Sequence, residues 1–215
     1  ELKTPLTALR EGVALLQDEV PGTLDATQRE VVAILQNNVI ALQRQIEGLL
    51  SLNAAAFESS RLIRRPVGMR DFLADAVRRR ELHSQARQLT LRIEAPDLQV
   101  SVDDEKLAVI VDNLLSNAID FSPVGGEIRL LATAGDGNLR LECIDQGPGV
   151  AEEDMERIFE PFVQGLRKAA VPRQGSGVGL SIVRELALAM GGRVCVLPSE
   201  IGAHFYVEIP DDKQQ

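Results

Sequence analysis

Leu2, Leu6, Leu9, Val13 and Leu16 recur at alternating steps of four and three, the seam pattern of helices that pack along their length. The pattern stops at Val20-Pro21-Gly22-Thr23, where Pro and Gly punctuate a tight connection. It resumes through Val32, Leu35, Val39, Leu42, Ile46 and Leu49. Helices joined by so short a connection pack antiparallel. A lone hairpin over residues 1–57 leaves part of each apolar stripe uncovered. The spacing therefore predicts a homodimer, with two hairpins closing a four-helix bundle.

Beyond residue 57 the heptads break. Residues 58–66 read as a linker leading into an edge strand, and residues 67–212 as a second domain in which helical and strand periods alternate. Helices are expected over Asp71 to Arg87, Asp103 to Phe121 and Ser176 to Met190. Asp103 is the expected N-cap of the middle one, with Asp104 and Glu105 in its first turn. Strands are expected over Leu89 to Ala95, Leu98 to Val102, Gly126 to Ala134, Asn138 to Ile144, Arg193 to Leu197 and His204 to Ile209. Gly135-Asp136-Gly137 marks a hairpin turn, and Gly191-Gly192 closes the last helix. The fold class is α+β: a helical hairpin followed by an α/β sandwich whose mixed sheet is covered by helices on one face.

Composition narrows the function more than the fold. The 215 residues carry a net charge of −9, a single Tyr and no Trp. Without a basic face or stacking aromatics, nucleic acid is not an expected partner. No apolar run approaches the ~20 residues of a membrane-spanning helix, so a membrane is expected only through segments outside this sequence. Glu1 opens straight into the helical pattern, with no signal peptide. Cys143 and Cys195 lie in apolar, strand-like runs and read as buried, reduced thiols; with His83 and His204 they lack the spacing of a metal site.

The candidate chemistry falls in the second domain. Asn113 and Asn117 project from one helical face a turn apart, while Leu114, Leu115 and Ala118 occupy the opposite face; two solvated amides would look the same. Asp145-Gln-Gly147-Pro-Gly149 ends a strand, where a carboxylate can accept from a ligand while glycines let the backbone turn closely around it; an ordinary strand-ending turn shares that pattern. Ile158-Phe159-Glu160-Pro161-Phe162 is an apolar wedge in a chain poor in aromatics. Gly175-Ser176-Gly177-Val178-Gly179-Leu180 opens a helix, where backbone N–H groups can approach phosphate oxygens. It fits neither the dinucleotide fingerprint nor a P-loop. The preceding stretch, with Gly165, Arg167, Lys168 and Arg173, suits a lid over phosphates.

Taken in order, Asn113…Asn117, Asp145-x-Gly147-x-Gly149, Phe159-Glu-Pro-Phe162 and Gly175-x-Gly177-x-Gly179 resemble the N, G1, F and G2 boxes of sensor histidine kinases, with the ATP-binding sandwich of the GHKL superfamily. Glu1-Leu2-Lys3-Thr4-Pro5-Leu6 resembles the tail of the family's H box, and the hairpin is most similar to the enterobacterial QseE/GlrK type. The resemblance implies that Asn117 coordinates Mg²⁺ on the ATP phosphates with Asn113 close by, and that Asp145 accepts from the adenine amino group. Gly147, Gly149, Gly177 and Gly179 admit the nucleotide, Phe121 covers part of the adenine pocket, and Arg173 reaches the terminal phosphate. The phosphoacceptor histidine would stand immediately before Glu1, so autophosphorylation at the usual place is not expected of this chain. Glu1 would orient that histidine, and Thr4 would position water in the reverse, phosphatase reaction. Phosphate would pass on to an aspartate of a response regulator receiver domain. The implied setting is the cytoplasmic part of a bacterial inner-membrane sensor.

Two residues depart from the family pattern. Asp120 stands where a Lys, Arg or His is usual near the phosphates, and Ala203 replaces the Thr of a Gly-Thr-x-Phe motif. They keep alive a degenerate kinase that controls a partner as a dimeric scaffold. Another GHKL ATPase is the remaining alternative. His83 and His204 are expected in structural or surface roles.

Overall fold

The computed structural model describes residues 3–58, 62–166 and 177–211. Helices α1 (Lys3–Gln17) and α2 (Ala26–Glu58) form the hairpin. Its connection is locally well determined. Asp25 and Gln28 form a reciprocal capping box, each backbone N–H donating to the other's side chain at 2.9 and 2.8 Å. Arg29 reaches back to Glu19 at 2.8 Å. Leu6, Val13 and Val32 are buried within the hairpin, whereas Leu9, Leu16, Leu35 and Leu42 remain 36–53% exposed. The seam is thus only half used by one chain.

The second unit begins with β1 (Arg65–Gly68), followed by α3 (Met69–Arg79), α4 (Glu81–Ala86), β2 (Thr90–Glu94), β3 (Gln99–Val102) and α5 (Asp104–Phe121). Then come β4 (Glu127–Gly135), β5 (Asn138–Ile144), α6 (Gly179–Ala189), β6 (Arg193–Leu197) and β7 (His204–Pro210). Five strands make a mixed sheet in the order β2-β4-β5-β7-β6, with only β2 and β4 parallel. Alternation places Ile128, Leu130, Ala132, Leu139, Leu141, Cys143, Val207 and Ile209 on the covered face, each no more than 1% exposed. Leu107, Ile110, Val111, Leu114, Leu115, Ala118 and Ile119 of α5 meet that face, all fully buried. Burying each such Leu or Ile stabilises the domain by about 2 kcal/mol.

The other sheet face is tiled with ion pairs, Arg92–Glu127, Arg129–Glu94, Arg140–Glu208 and Arg193–Glu208 at 2.6–3.2 Å, and His204 Nε2 lies 2.5 Å from Glu142 Oε2. Cys195 lies on this face and is only half-buried, unlike Cys143; the expectation of two buried thiols holds for one of them. Burial pushes the Cys143 thiol up.

Three further expectations are revised. The helix foreseen over Asp71 to Arg87 breaks at Arg80, whose φ of −105° and ψ of 5° end α3 and start α4. No Pro or Gly stands at the break; beyond it, His83 of α4 lies 3.5 Å from the Asp120 carboxylate at the end of α5. Strands β1 and β3 leave the main sheet and pair only with each other, Val67 opposite Val100. Helix α6 starts at Gly179 rather than Ser176, and Ser176 itself lies outside the described residues.

Asp103 caps α5 as expected, accepting from the Lys106 backbone N–H at 3.0 Å. The same carboxylate accepts from Ile63 at 3.0 Å and pairs with the Lys106 ammonium at 2.9 Å, tying the start of the domain to its central helix. Those bonds hold the Asp103 carboxyl below its ordinary range, against the opposing effect of burial, which is the larger single influence. Between β4 and β5, Asp136 and Gly137 both take positive φ, 54° and 75°, in the foreseen hairpin turn.

Candidate functional site

Helix α5 presents Asn113, Asn117 and Asp120, all half-buried, on the side opposite its apolar stripe. Asn113 donates its amide to the Val109 carbonyl at 2.8 Å, which fixes the side chain. Its oxygen sits against the start of α6, where a Cβ on Gly179 would lie 2.8 Å away. Gly179 is therefore required by close approach, and that approach brings the first and fourth sequence clusters together.

Asp145 ends β5 and is 3% exposed. Both of its backbone hydrogen bonds, from Gly147 at 2.7 Å and Ala203 at 3.0 Å, converge on Oδ1, which leaves Oδ2 available to a ligand. Burial raises the carboxyl pKa, and the two N–H donors oppose that rise without cancelling it. The local backbone is built around this residue. A Cβ on Gly202, at φ +73°, would lie 1.8 Å from the Asp145 carbonyl oxygen, and one on Gly147 would lie 2.8 Å from that of Phe121. Phe121, 37% exposed at the end of α5, thus borders the Asp145 turn. Gly149, at φ +74°, carries the chain out of that turn.

Phe159 is buried and meets Phe205 of β7 edge-on, with ring centroids 6.4 Å apart. Phe162 instead adopts φ +65° and is 44% exposed; its N–H donates to the Gly177 carbonyl at 2.8 Å. Val178, 1% exposed, accepts from the Ser181 hydroxyl at 2.7 Å, and Leu180 lies half-buried in the first turn of α6. Gly48 of α2 packs on Val178 so closely that a Cβ there would meet Val178 Cγ2 at 2.6 Å.

Thr4 is exposed in the first turn of α1. Glu1, Arg173, Gly175 and Ser176 lie outside the described residues. The Asn, Asp145 and glycine clusters thus meet along the C-terminal half of α5, and Phe162 joins the wedge to Gly177. Three further residues were missed by sequence reasoning. Arg87, 8% exposed, donates to the carbonyls of Ile119, Asp120 and Ser122, each at 2.7 Å, and so caps α5. His83, one turn before it, lies 3.5 Å from the Asp120 carboxylate. Asp154, 3% exposed, accepts from the Leu166 N–H at 2.7 Å. Each acts across a long sequence separation; the acidic run Glu152-Glu153-Asp154 was a faint signal for the last.

This donor set fits a nucleotide with a hard cation: neutral amide oxygens on α5, a buried carboxylate acceptor, and a glycine-bounded helix start. Among the described residues no group of three or more His, Cys, Asp or Glu side chains could hold a metal by itself. Mg²⁺ takes few protein ligands beside water and phosphate, so one or two amides suffice.

Residues 102–213 match the family described as histidine kinase-, DNA gyrase B-, and HSP90-like ATPases, and residues 1–55 match the His Kinase A (phospho-acceptor) domain. The chain belongs to that ATPase family and carries in front of it the phospho-acceptor module of histidine kinases. Among individual proteins, it is 34% identical to the sensor histidine kinase GlrK of Escherichia coli K12 over 99% of this chain. The chain spans 45% of that relative's length. Full-length ShkA in complex with AMPPNP superposes with a TM-score of 0.69 at 30% identity, over 97% of this chain and 43% of that one. ThkA in complex with the response regulator TrrA gives a TM-score of 0.69 at 22% identity, over 99% of this chain and 60% of that one, and shares the fold.

Proposed function

We propose that this chain is the catalytic core of a sensor histidine kinase that binds Mg-ATP between α5, the Asp145 turn and the start of α6. Residues 1–57 serve as the dimerisation and phosphotransfer hairpin, 58–66 as linker and 67–212 as the ATP-binding domain. The γ-phosphate passes to a histidine directly preceding Glu1 and then to an aspartate of a response regulator receiver domain. Support comes above all from Asp145, a buried carboxylate with both backbone bonds on one oxygen and the other left to accept from an adenine amine.

In this reading Asn117 holds Mg²⁺, with Asn113 beside it. The cation would neutralise phosphate charge, the main requirement of phosphoryl transfer. Gly147 and Gly149 admit the base beneath Phe121. Gly177, Val178, Gly179 and Leu180 offer backbone N–H groups at the positive end of α6. Arg173, Gly175 and Ser176 are assigned to the phosphates on their motif alone. An imidazole nitrogen attacks the γ-phosphorus with its own lone pair as the bond to the β-phosphate oxygen breaks, releasing ADP. Glu1 fixes the imidazole tautomer, and Thr4 positions water when the phosphohistidine is bypassed in regulator dephosphorylation.

Dimerisation through the hairpin follows from the exposed Leu9, Leu16, Leu35 and Leu42. Titration calorimetry of Mg-ATP into the chain, with Asn117→Ala as control, tests the reading. Saturable binding lost in the variant is expected. A folded dimer without binding would instead favour the scaffold that controls a partner without turnover.

A further inference from the structure

Asp120 brings a negative charge to the face of α5 that carries Asn113 and Asn117, and a polyanionic ligand on that face would be repelled by it. The structure answers this charge from a distant stretch of sequence. His83 of α4 and Arg87, the residue that follows that helix, both reach the C-terminal end of α5. Arg87 binds the Asp120 backbone carbonyl at 2.7 Å, together with those of Ile119 and Ser122. His83 places Nε2 3.5 Å from the Asp120 carboxylate Oδ1, with the two side chains similarly shielded, 26% and 25% exposed. His83 and Arg87 both lie beyond the break at Arg80, where α4 begins.

We infer that His83 is a positioning residue of the nucleotide site: it engages the Asp120 carboxylate from α4, so that the α5 face accepts the phosphates despite an acid where a base is usual. The base stands on α4 and the acid it offsets on α5. This rests on the ATP-site reading above. A carboxylate drawn to His83 is turned from the phosphates, and the imidazole's positive edge offsets its field. Arg87 holds the helix end, so the pair has a fixed backbone on which to form.

The test is calorimetric titration of Mg-ATP, ADP and AMP into the whole chain and its variants. His83→Ala is expected to weaken Mg-ATP about three- to fivefold, the scale of a partly exposed polar contact. The loss should shrink from ATP to AMP, since the unmasked carboxylate acts on phosphate charge. Asp120→Asn should bind at least as well as the parent and should restore the affinity of His83→Ala in the double variant. His83→Lys should keep parental affinity. If His83→Ala does not fold by thermal melting, His83→Gln replaces it, with the same expected direction.

Parental affinity in His83→Ala, an equal loss for all three nucleotides, or a loss that persists beside Asp120→Asn each overturns the proposal. A folded parent that binds no Mg-ATP overturns the site itself. Parental binding removed by Asn117→Ala but untouched by His83→Ala overturns only the role of His83.

Discussion

The Phe162 N–H donates to the Gly177 carbonyl at 2.8 Å, joining the wedge after β5 to the entry of α6. Both residues take positive φ, 65° and 69°. For Phe162 this is a strained conformation, of the order of 1 kcal/mol. The close approach falls to Gly177, where a Cβ would lie 2.9 Å from the Phe162 carbonyl carbon.

Gly177→Ala should therefore separate the two ends and lower stability by about 2 kcal/mol. Chemical denaturation checks the stability, and Mg-ATP titration should show weaker binding. Unaltered values of both would mean that the junction carries no strain of consequence.

Asp145→Asn should have opposite effects on fold and ligand. Burial lifts the folded pKa of Asp145 above its unfolded value, so the ionised form costs stability at neutral pH. That cost disappears as pH falls through the raised pKa. The amide can still accept from Gly147 and Ala203, and the variant should melt at or above the parental temperature. Loss of a charged acceptor for the adenine amine should weaken ATP about tenfold. In the parent, affinity should fall on acidification at a higher pH than an ordinary aspartate, ~3.9, would give. A variant that melts lower and binds normally would contradict both assignments.

Leu35→Glu with Leu42→Glu places charge in the uncovered seam, where Leu35 and Leu42 are 43% and 42% exposed in one chain. Light scattering should report monomers, because an unpaired charge in a bundle seam is strongly unfavourable. A surviving dimer would place the interface elsewhere.

Ala203 is buried and its N–H already reaches Asp145 at 3.0 Å, so the backbone part of the usual Thr position is intact. Ala203→Thr should add a hydroxyl beside the carboxylate and tighten ATP a few-fold, about 0.5–1 kcal/mol. By contrast Gly202→Ala should cost about 3 kcal/mol or more, since its Cβ would overlap the Asp145 carbonyl. Thermal melts and titrations separate the two effects.

Much of this architecture was legible because it is set by local rules. The Asp136-Gly137 turn, the Asp103 cap and the α5 stripe each follow from residues within a few positions of one another. The capping box of Asp25 and Gln28 carries its signature in the same way, two residues three apart in front of an apolar run. What escaped is tertiary. The break at Arg80 follows from packing, not from a breaker residue. The withdrawal of β1 and β3 from the main sheet is a matter of pairing, which alternation does not specify. Arg87 is buried against the end of a helix more than thirty residues away in sequence, and His83 meets Asp120 across a similar separation, so neither contact has a local signal.

The contact between Gly48 and Val178 makes the hairpin a gauge of the nucleotide domain's seat. Each residue of an α-helix advances about 100° around its axis, so few positions of α2 can face α6 at that point. Glycine stands there, and a Cβ would meet Val178 Cγ2 at 2.6 Å. The seat of the nucleotide domain on the hairpin is thus keyed to a glycine, at a contact one residue away from Gly179, where a Cβ would in turn lie 2.8 Å from Asn113 Oδ1.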